Sequence, residues 1–122
     1  MFICEYYVAA NGSVPVKEFI DALDRRTRAK FWAKIELLED FGNRLPAPHC
    51  KYIKDGIYEF RFIGIEGHIR ILYFFFREKR IILTNGFIKK RNKLPISEIE
   101  KAISYKGDYL SRYGRKRNEK RK

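Results

Sequence analysis

The sequence predicts an α+β fold: a twisted, mainly antiparallel sheet of four to five strands, an N-terminal helical hairpin packed on one face, and a C-terminal helix. Three observations carry that expectation. Two stretches with helical spacing lie between residues 13 and 42, four short runs rich in β-branched and aromatic residues lie between 50 and 87, and helical spacing returns after Pro95. A chain of 122 residues with 45% hydrophobic and 16% aromatic content is long enough to bury a core without disulfides. Residues 1–113 are expected to form one domain and 114–122 a flexible basic tail.

The elements follow in order. "FICEYYVA" (2–9) reads as a first strand, closed by the Asn11-Gly12 turn. "SVPVKEFIDALDRR" opens a helix, with Ser13 as a candidate cap and Pro15 in the first turn, where its missing N–H costs nothing. A second helix is expected from about Thr27 to Phe41, with Phe31, Ile35, Leu38 and Phe41 inward and Gly42 as its stop. Trp32, Lys34 and Glu36 fall off that stripe. "NRLPAPH" (43–49) is a breaker loop. "CKYIK" (50–54), the Asp55-Gly56 turn, "IYEFRFI" (57–63), "HIRILYFFF" (68–76) and "RIILTNGF" (80–87) then read as an antiparallel meander. The last helix carries Ile99, Ile103 and Leu110 on one stripe, with Ser97 and Glu100 as a candidate capping box.

Several classes are set aside by composition. The longest apolar run, Ile71 to Phe76, falls far short of the about 20 residues of a membrane span. With no basic region ahead of "FICEYYVA", no signal peptide is expected and the predicted location is cytoplasmic. Cys4 and Cys50 lack CxxC spacing and read as buried apolar thiols. The charge is more informative. The net value is +12, yet residues 1–50 hold seven cations and seven anions, so the whole excess lies in 51–122. The tail 112–122 supplies a net six of it, and the body 51–111 the other six. A one-sided basic surface suits a polyanion, because each neutralised phosphate releases condensed counterions. A basic tail alone reads sooner as a solvated, solubilising segment than as a polyanion contact.

Strand alternation sorts the charges. In 57–63, Tyr58, Phe60 and Phe62 point to one side as a core face, and Glu59 and Arg61 to the other. In 68–76, Ile69, Ile71, Tyr73 and Phe75 share one side, which leaves His68 and Arg70 with Arg61 on an open face. Two arginines inside apolar strands admit two readings: a cross-strand pair with Glu59 or Glu66, or a phosphate-binding face. Lys89, Lys90 and Arg91, with Lys93 just beyond, favour the second, since they leave the last strand where a loop aims side chains over the same face.

No metal-binding, Gly-rich phosphate-loop or nucleophile-elbow motif is present, so no cofactor and no metal is expected. Arginines, lysines, a tyrosine, Glu59 and two histidines suit one reaction without a metal: attack of a ribose 2′-OH on the adjacent phosphate. That step needs a base for the hydroxyl, cations for the phosphorane charge and an acid for the leaving 5′-oxygen. A lysine serves as the base when neighbouring cations lower its pKa.

"KYIKDGIYEFRF", "GHIRILYFF", "ILTNGFIKKRNKLP" and "SEIEKA", in that order over residues 50–105, resemble the RelE/HigB-like toxin superfamily, in particular its phage-derived HigB-like branch. The resemblance implies a RelE-like fold with helices on one face of the sheet, and the toxin component of a type II toxin–antitoxin system: a ribosome-dependent mRNA endoribonuclease that inhibits translation. It implies a HigA-like helix-turn-helix antitoxin as partner, together with the ribosome and mRNA, no membrane, and DNA reached only through the antitoxin complex. Catalytic positions carry over to Arg61, Arg70, Lys89, Lys90 and Tyr73; Arg91 and Lys93, read from charge and placement, are candidate RNA contacts. Glu59 and His68 are further candidates, as an orienting partner and a proton donor. Many relatives carry histidine immediately before "GF" where this chain has Asn85, an amide that neither gives nor takes a proton in catalysis. Relatives often show threonine after the lysine pair where this chain has Arg91.

Two other function classes fit the same charges. One is a non-catalytic RNA- or DNA-binding module that stacks bases on interleaved aromatics. The other is an interaction protein whose basic groove receives an acidic antitoxin segment.

Overall fold

A computed structural model of the chain describes residues 1–90, Asn92 and 95–114. Its elements are β1 (Ile3–Tyr6), α1 (Pro15–Asp21), α2 (Arg25–Phe41), β2 (Cys50–Lys54), β3 (Ile57–Gly64), β4 (Gly67–Phe76), β5 (Arg80–Lys89) and α3 (Ile96–Tyr113). The five strands form one open sheet in the order β1-β5-β4-β3-β2. Every neighbouring pair is antiparallel except β1 and β5, which run parallel. This is the expected α+β architecture, with its helical hairpin on one face.

The meander forms where its turn residues allow. Asp55 and Gly56 both take positive φ, 51° and 79°, as a two-residue hairpin turn with right-handed strand twist demands. On the side facing α1 and α2, Phe60, Phe62, Ile69, Ile71, Tyr73, Ile81 and Leu83 meet Val16, Ile20, Phe31, Ile35 and Leu38. Each large apolar side chain buried there contributes about 1.5–3 kcal/mol. Gly86 is required in this layer, because a Cβ would come within 2.6 Å of both Ile71 and Phe19.

The other face is not open along its length, and the helices do not lie on one side only. α3 crosses that face and seals a second core of Ile57, Leu72, Phe74, Phe76, Ile82 and Phe87 with its own Ala102 and Tyr109. The ring of Tyr105 stacks on Tyr7 at 4.6 Å, and that of Tyr109 meets Phe76 edge-on at 4.9 Å. Polar contacts fix the helix along its length, among them the following three. Tyr7 donates to Asp108 at 2.6 Å, Lys106 donates to the Asp55 carbonyl at 2.7 Å, and Asn85 donates to the Glu98 carbonyl at 3.1 Å.

Several local expectations are corrected. Ser13 caps nothing: α1 starts from Val14, whose N–H is taken by Glu18. α2 starts earlier than Thr27 because Asp24 is its cap, accepting from the Arg26 N–H at 2.9 Å. Thr27 is instead buried, donating at 2.7 Å to Glu66 from the β3–β4 turn. Ser97 does not cap α3, since the helix begins one residue before it, after Pro95. Phe41 and Leu110, placed inward by spacing, are exposed at the ends of their helices. Among the described residues no helix is long and apolar enough to cross a membrane.

Candidate functional site

α3 covers one half of its face and leaves the other half to charge. Arg61 on β3 lies directly opposite Arg70 on β4, and His68 on β4 directly opposite Lys89 on β5. Simple alternation along β5 from Ile82 would turn Lys89 toward the helical hairpin. A bulge between Leu72 and Tyr73 of β4 absorbs the extra Thr84, whose hydroxyl donates to the Leu72 carbonyl at 3.1 Å. The parity therefore changes. Asn85, Phe87 and Lys89 come to the face of Leu72, Arg70 and His68.

Behind the arginines sits Glu59, only 8% exposed. Arg61 Nη2 donates to Glu59 Oε1 at 3.2 Å, and Arg70 Nε lies 3.7 Å from the same oxygen. Two fixed cations thus share one carboxylate, so a positive charge remains in excess. Arg70 is itself only 8% exposed. Burial pushes its pKa down, Glu59 opposes that shift, and Arg61 adds to it. A guanidinium stays charged even so, and the cost of its desolvation falls when an anion meets it. The Nε atoms of both arginines are buried without a hydrogen-bond partner among the described residues.

Two cavities open onto these side chains. One, of about 560 Å³, is lined among others by Lys30, Lys34, His49, Arg61, His68 and Arg70. The second, of about 280 Å³, is lined by His68, Arg70, Lys89 and Asn92. His68 and Arg70 belong to both. A surface of this composition has the chemistry to meet a phosphate and to stabilise negative charge developing on it.

The residues singled out by sequence divide accordingly. Glu59, Arg61, His68, Arg70 and Lys89 are brought together. Lys89 ends β5 rather than lying in a loop, and Lys90 is exposed just past the strand. Tyr73 is not brought to the cluster: it is fully buried on the hairpin side, stacked at 5.6 Å on Tyr58. Its hydroxyl lies near Cys50 with no hydrogen-bond partner among the described residues, and burial pushes its pKa up. Arg91, Lys93 and the tail from 115 on lie outside the described residues. Asn85 anchors α3, donating to Glu98 Oε1 at 3.0 Å as well as to its carbonyl.

Lys30, Lys34 and His49 were not legible as site residues. The lysines sit four apart on α2, and His49 closes a proline-rich loop. Only the sheet edge brings them to Arg61, whose N–H donates to the His49 carbonyl at 3.2 Å. Among the described residues, no group of three or more His, Cys, Asp or Glu side chains is arranged to hold a metal ion.

Against known proteins, residues 18–106 match the family model described as Phage derived protein Gp49-like (DUF891), which covers more than half of the chain. No curated protein matches it.

Proposed function

The chain belongs to the Gp49-like family of phage-derived proteins, a RelE/HigB-like toxin family associated with toxin–antitoxin systems, and from that premise we propose that it is a ribosome-dependent mRNA endoribonuclease of the HigB-like branch. Toxins of the RelE-like type are generally RNases, and such a toxin has an antitoxin partner. The observation that carries the finer reading is the pairing of Arg61 and Arg70 over the single carboxylate of Glu59.

In this reading the scissile phosphate lies against Arg61 and Arg70. The ribose 2′-oxygen attacks phosphorus, a 2′-O–P bond forms, and the P–O5′ bond breaks to leave a 2′,3′-cyclic phosphate and a 5′-hydroxyl. The proton lost by the 2′-hydroxyl and the proton gained by the 5′-oxygen balance, so the protein needs only a base and an acid near the two oxygens. Lys89 and His68, opposite each other at the end of the same face, take these roles. Arg61 and Arg70 stabilise the charge on the phosphorane, and Glu59 holds both in place. Lys90, Arg91 and Lys93 contribute contacts to the RNA backbone. Tyr73, walled off in the core, supports the sheet.

The partner in this reading is a HigA-like helix-turn-helix antitoxin, the place of action is the translating ribosome in the cytoplasm, and DNA is reached only through the antitoxin complex. The support for these is the resemblance of residues 50–105 to that superfamily. Induced expression in bacteria tests the proposal. The wild type should arrest growth and cut translated messages, and Arg70→Ala should do neither; equal toxicity of the two would refute the assignment.

A further inference from the structure

The larger cavity extends beyond the two arginines, off the edge of the sheet and toward α2. Its far wall is built from Lys30 and Lys34 on α2 and His49 before β2. Among the described residues no acidic side chain lines this cavity, and neither lysine forms a salt bridge. Like charges four apart destabilise a helix, so the pair is a cost unless something anionic meets it.

Lys34 is also held in position. Its Nζ lies 3.0 Å from His49 Nδ1. An ammonium only donates, so Nδ1 is the acceptor and the ring proton sits on Nε2. His49 is fixed in turn through its backbone, its N–H donating to the Pro46 carbonyl at 3.1 Å and its carbonyl accepting from Arg61 at 3.2 Å. The Lys30 ammonium is tied to the Ile63 carbonyl at 2.7 Å on the same side. Burial pushes the Lys34 pKa down, so an arriving anion would favour its charged form.

We propose that Lys34 and His49 form a second phosphate subsite, which takes a backbone phosphodiester of the same single-stranded RNA next to the one held by Arg61 and Arg70. His68 and Arg70, shared between the two cavities, lie between this subsite and Lys89. The strand therefore runs across the face from the α2 side, past the arginines, to the end of β5. The Lys34 ammonium and the His49 Nε2–H are its donors, and neither takes part in proton transfer. This inference rests on the reading of the Arg61–Arg70 face as an RNA site.

Binding of uncleavable 2′-O-methyl oligoribonucleotides tests it, with a dinucleotide carrying one phosphate and a tetranucleotide carrying three, titrated across salt concentrations. Lys34→Gln should weaken the tetranucleotide about tenfold at low salt, flatten its salt slope by about 0.7, and leave the dinucleotide unaffected, whereas Lys34→Arg should retain the slope. His49→Ala should weaken the tetranucleotide several-fold, again without touching the dinucleotide. A tetranucleotide affinity and slope unchanged in Lys34→Gln would overturn the subsite. Arg70→Ala reports separately on the underlying reading: if it leaves dinucleotide binding intact, that reading fails whatever Lys34 does. Absence of tetranucleotide binding by the wild type overturns both.

Discussion

Arg61 and Arg70 face each other across β3 and β4 and lean on one oxygen of Glu59, at 3.2 and 3.7 Å. The carboxylate is the only acid within ion-pair distance of either guanidinium among the described residues. Its removal leaves two partly desolvated cations side by side. Glu59→Gln should therefore cost about 3 kcal/mol, at the low end for a broken buried pair because the Arg61 side chain is 33% exposed. Thermal unfolding measures the loss, and inorganic phosphate should restore more stability to Glu59→Gln than to the wild type.

The Asn85 amide is spent on Glu98 at the start of α3. Asn85→Ala leaves the half-buried Glu98 carbonyl without that donor and should cost about 1 kcal/mol. Denaturant unfolding checks this. Affinity for a short RNA should stay unchanged, because the amide points at the helix and not at the arginines.

Tyr73 is buried, its hydroxyl unpaired among the described residues, on the side of the sheet away from Arg70. Tyr73→Phe removes an unsatisfied polar group and keeps the ring stack on Tyr58. Growth arrest on induction should persist and the melting temperature should hold or rise. A loss of toxicity at full stability would instead assign the hydroxyl a part in the reaction.

The contacts of Tyr7 and Asp108 make the docking of α3 pH-dependent at both ends. The Tyr7 hydroxyl and the Arg112 guanidinium hold the Asp108 carboxyl below its usual range, and the Asp24 N–H and the Thr27 hydroxyl do the same for Glu66. A lowered native pKa gives stability that is complete above the ordinary carboxylate value and lost as pH falls through the native one. Acid unfolding should thus begin below about pH 4, and Asp108→Asn and Glu66→Gln should flatten it. On the alkaline side, burial, then the bond to Asp108, push Tyr7 up to about 12. The stability tied to its neutral form is complete below the ordinary tyrosine value and lost as pH rises from about 10 toward 12. Tyr7→Phe should remove that alkaline loss in a pH series of melting temperatures.

Much of the fold was legible because turns and alternation are local. Asp55-Gly56 fixed one hairpin, and the parity of Tyr58, Phe60 and Phe62 assigned Glu59 and Arg61 to the face away from α1 and α2. The position of Lys89 was not legible by the same rule, because Thr84 adds a residue to β5 and reverses the alternation after it. Nor was the covering of the second face: the stripe through Ile99, Ile103 and Leu110 does not say which surface it meets, and Tyr109 rather than Leu110 proved to be buried. Lys34 and His49 were hidden for a different reason. They meet across fifteen positions of chain, at a sheet edge that no periodicity describes.

The most direct test of the account maps cleavage on messages carried by translating ribosomes, with purified wild-type protein and Arg70→Ala at equal, verified folding. The wild type should produce new 5′-hydroxyl ends within translated codons and matching 2′,3′-cyclic phosphate ends, without added metal, and Arg70→Ala should yield at most about a hundredth of that cleavage. Undiminished cleavage by Arg70→Ala, or ribosome-bound message left intact by a wild type that still binds RNA, would contradict it.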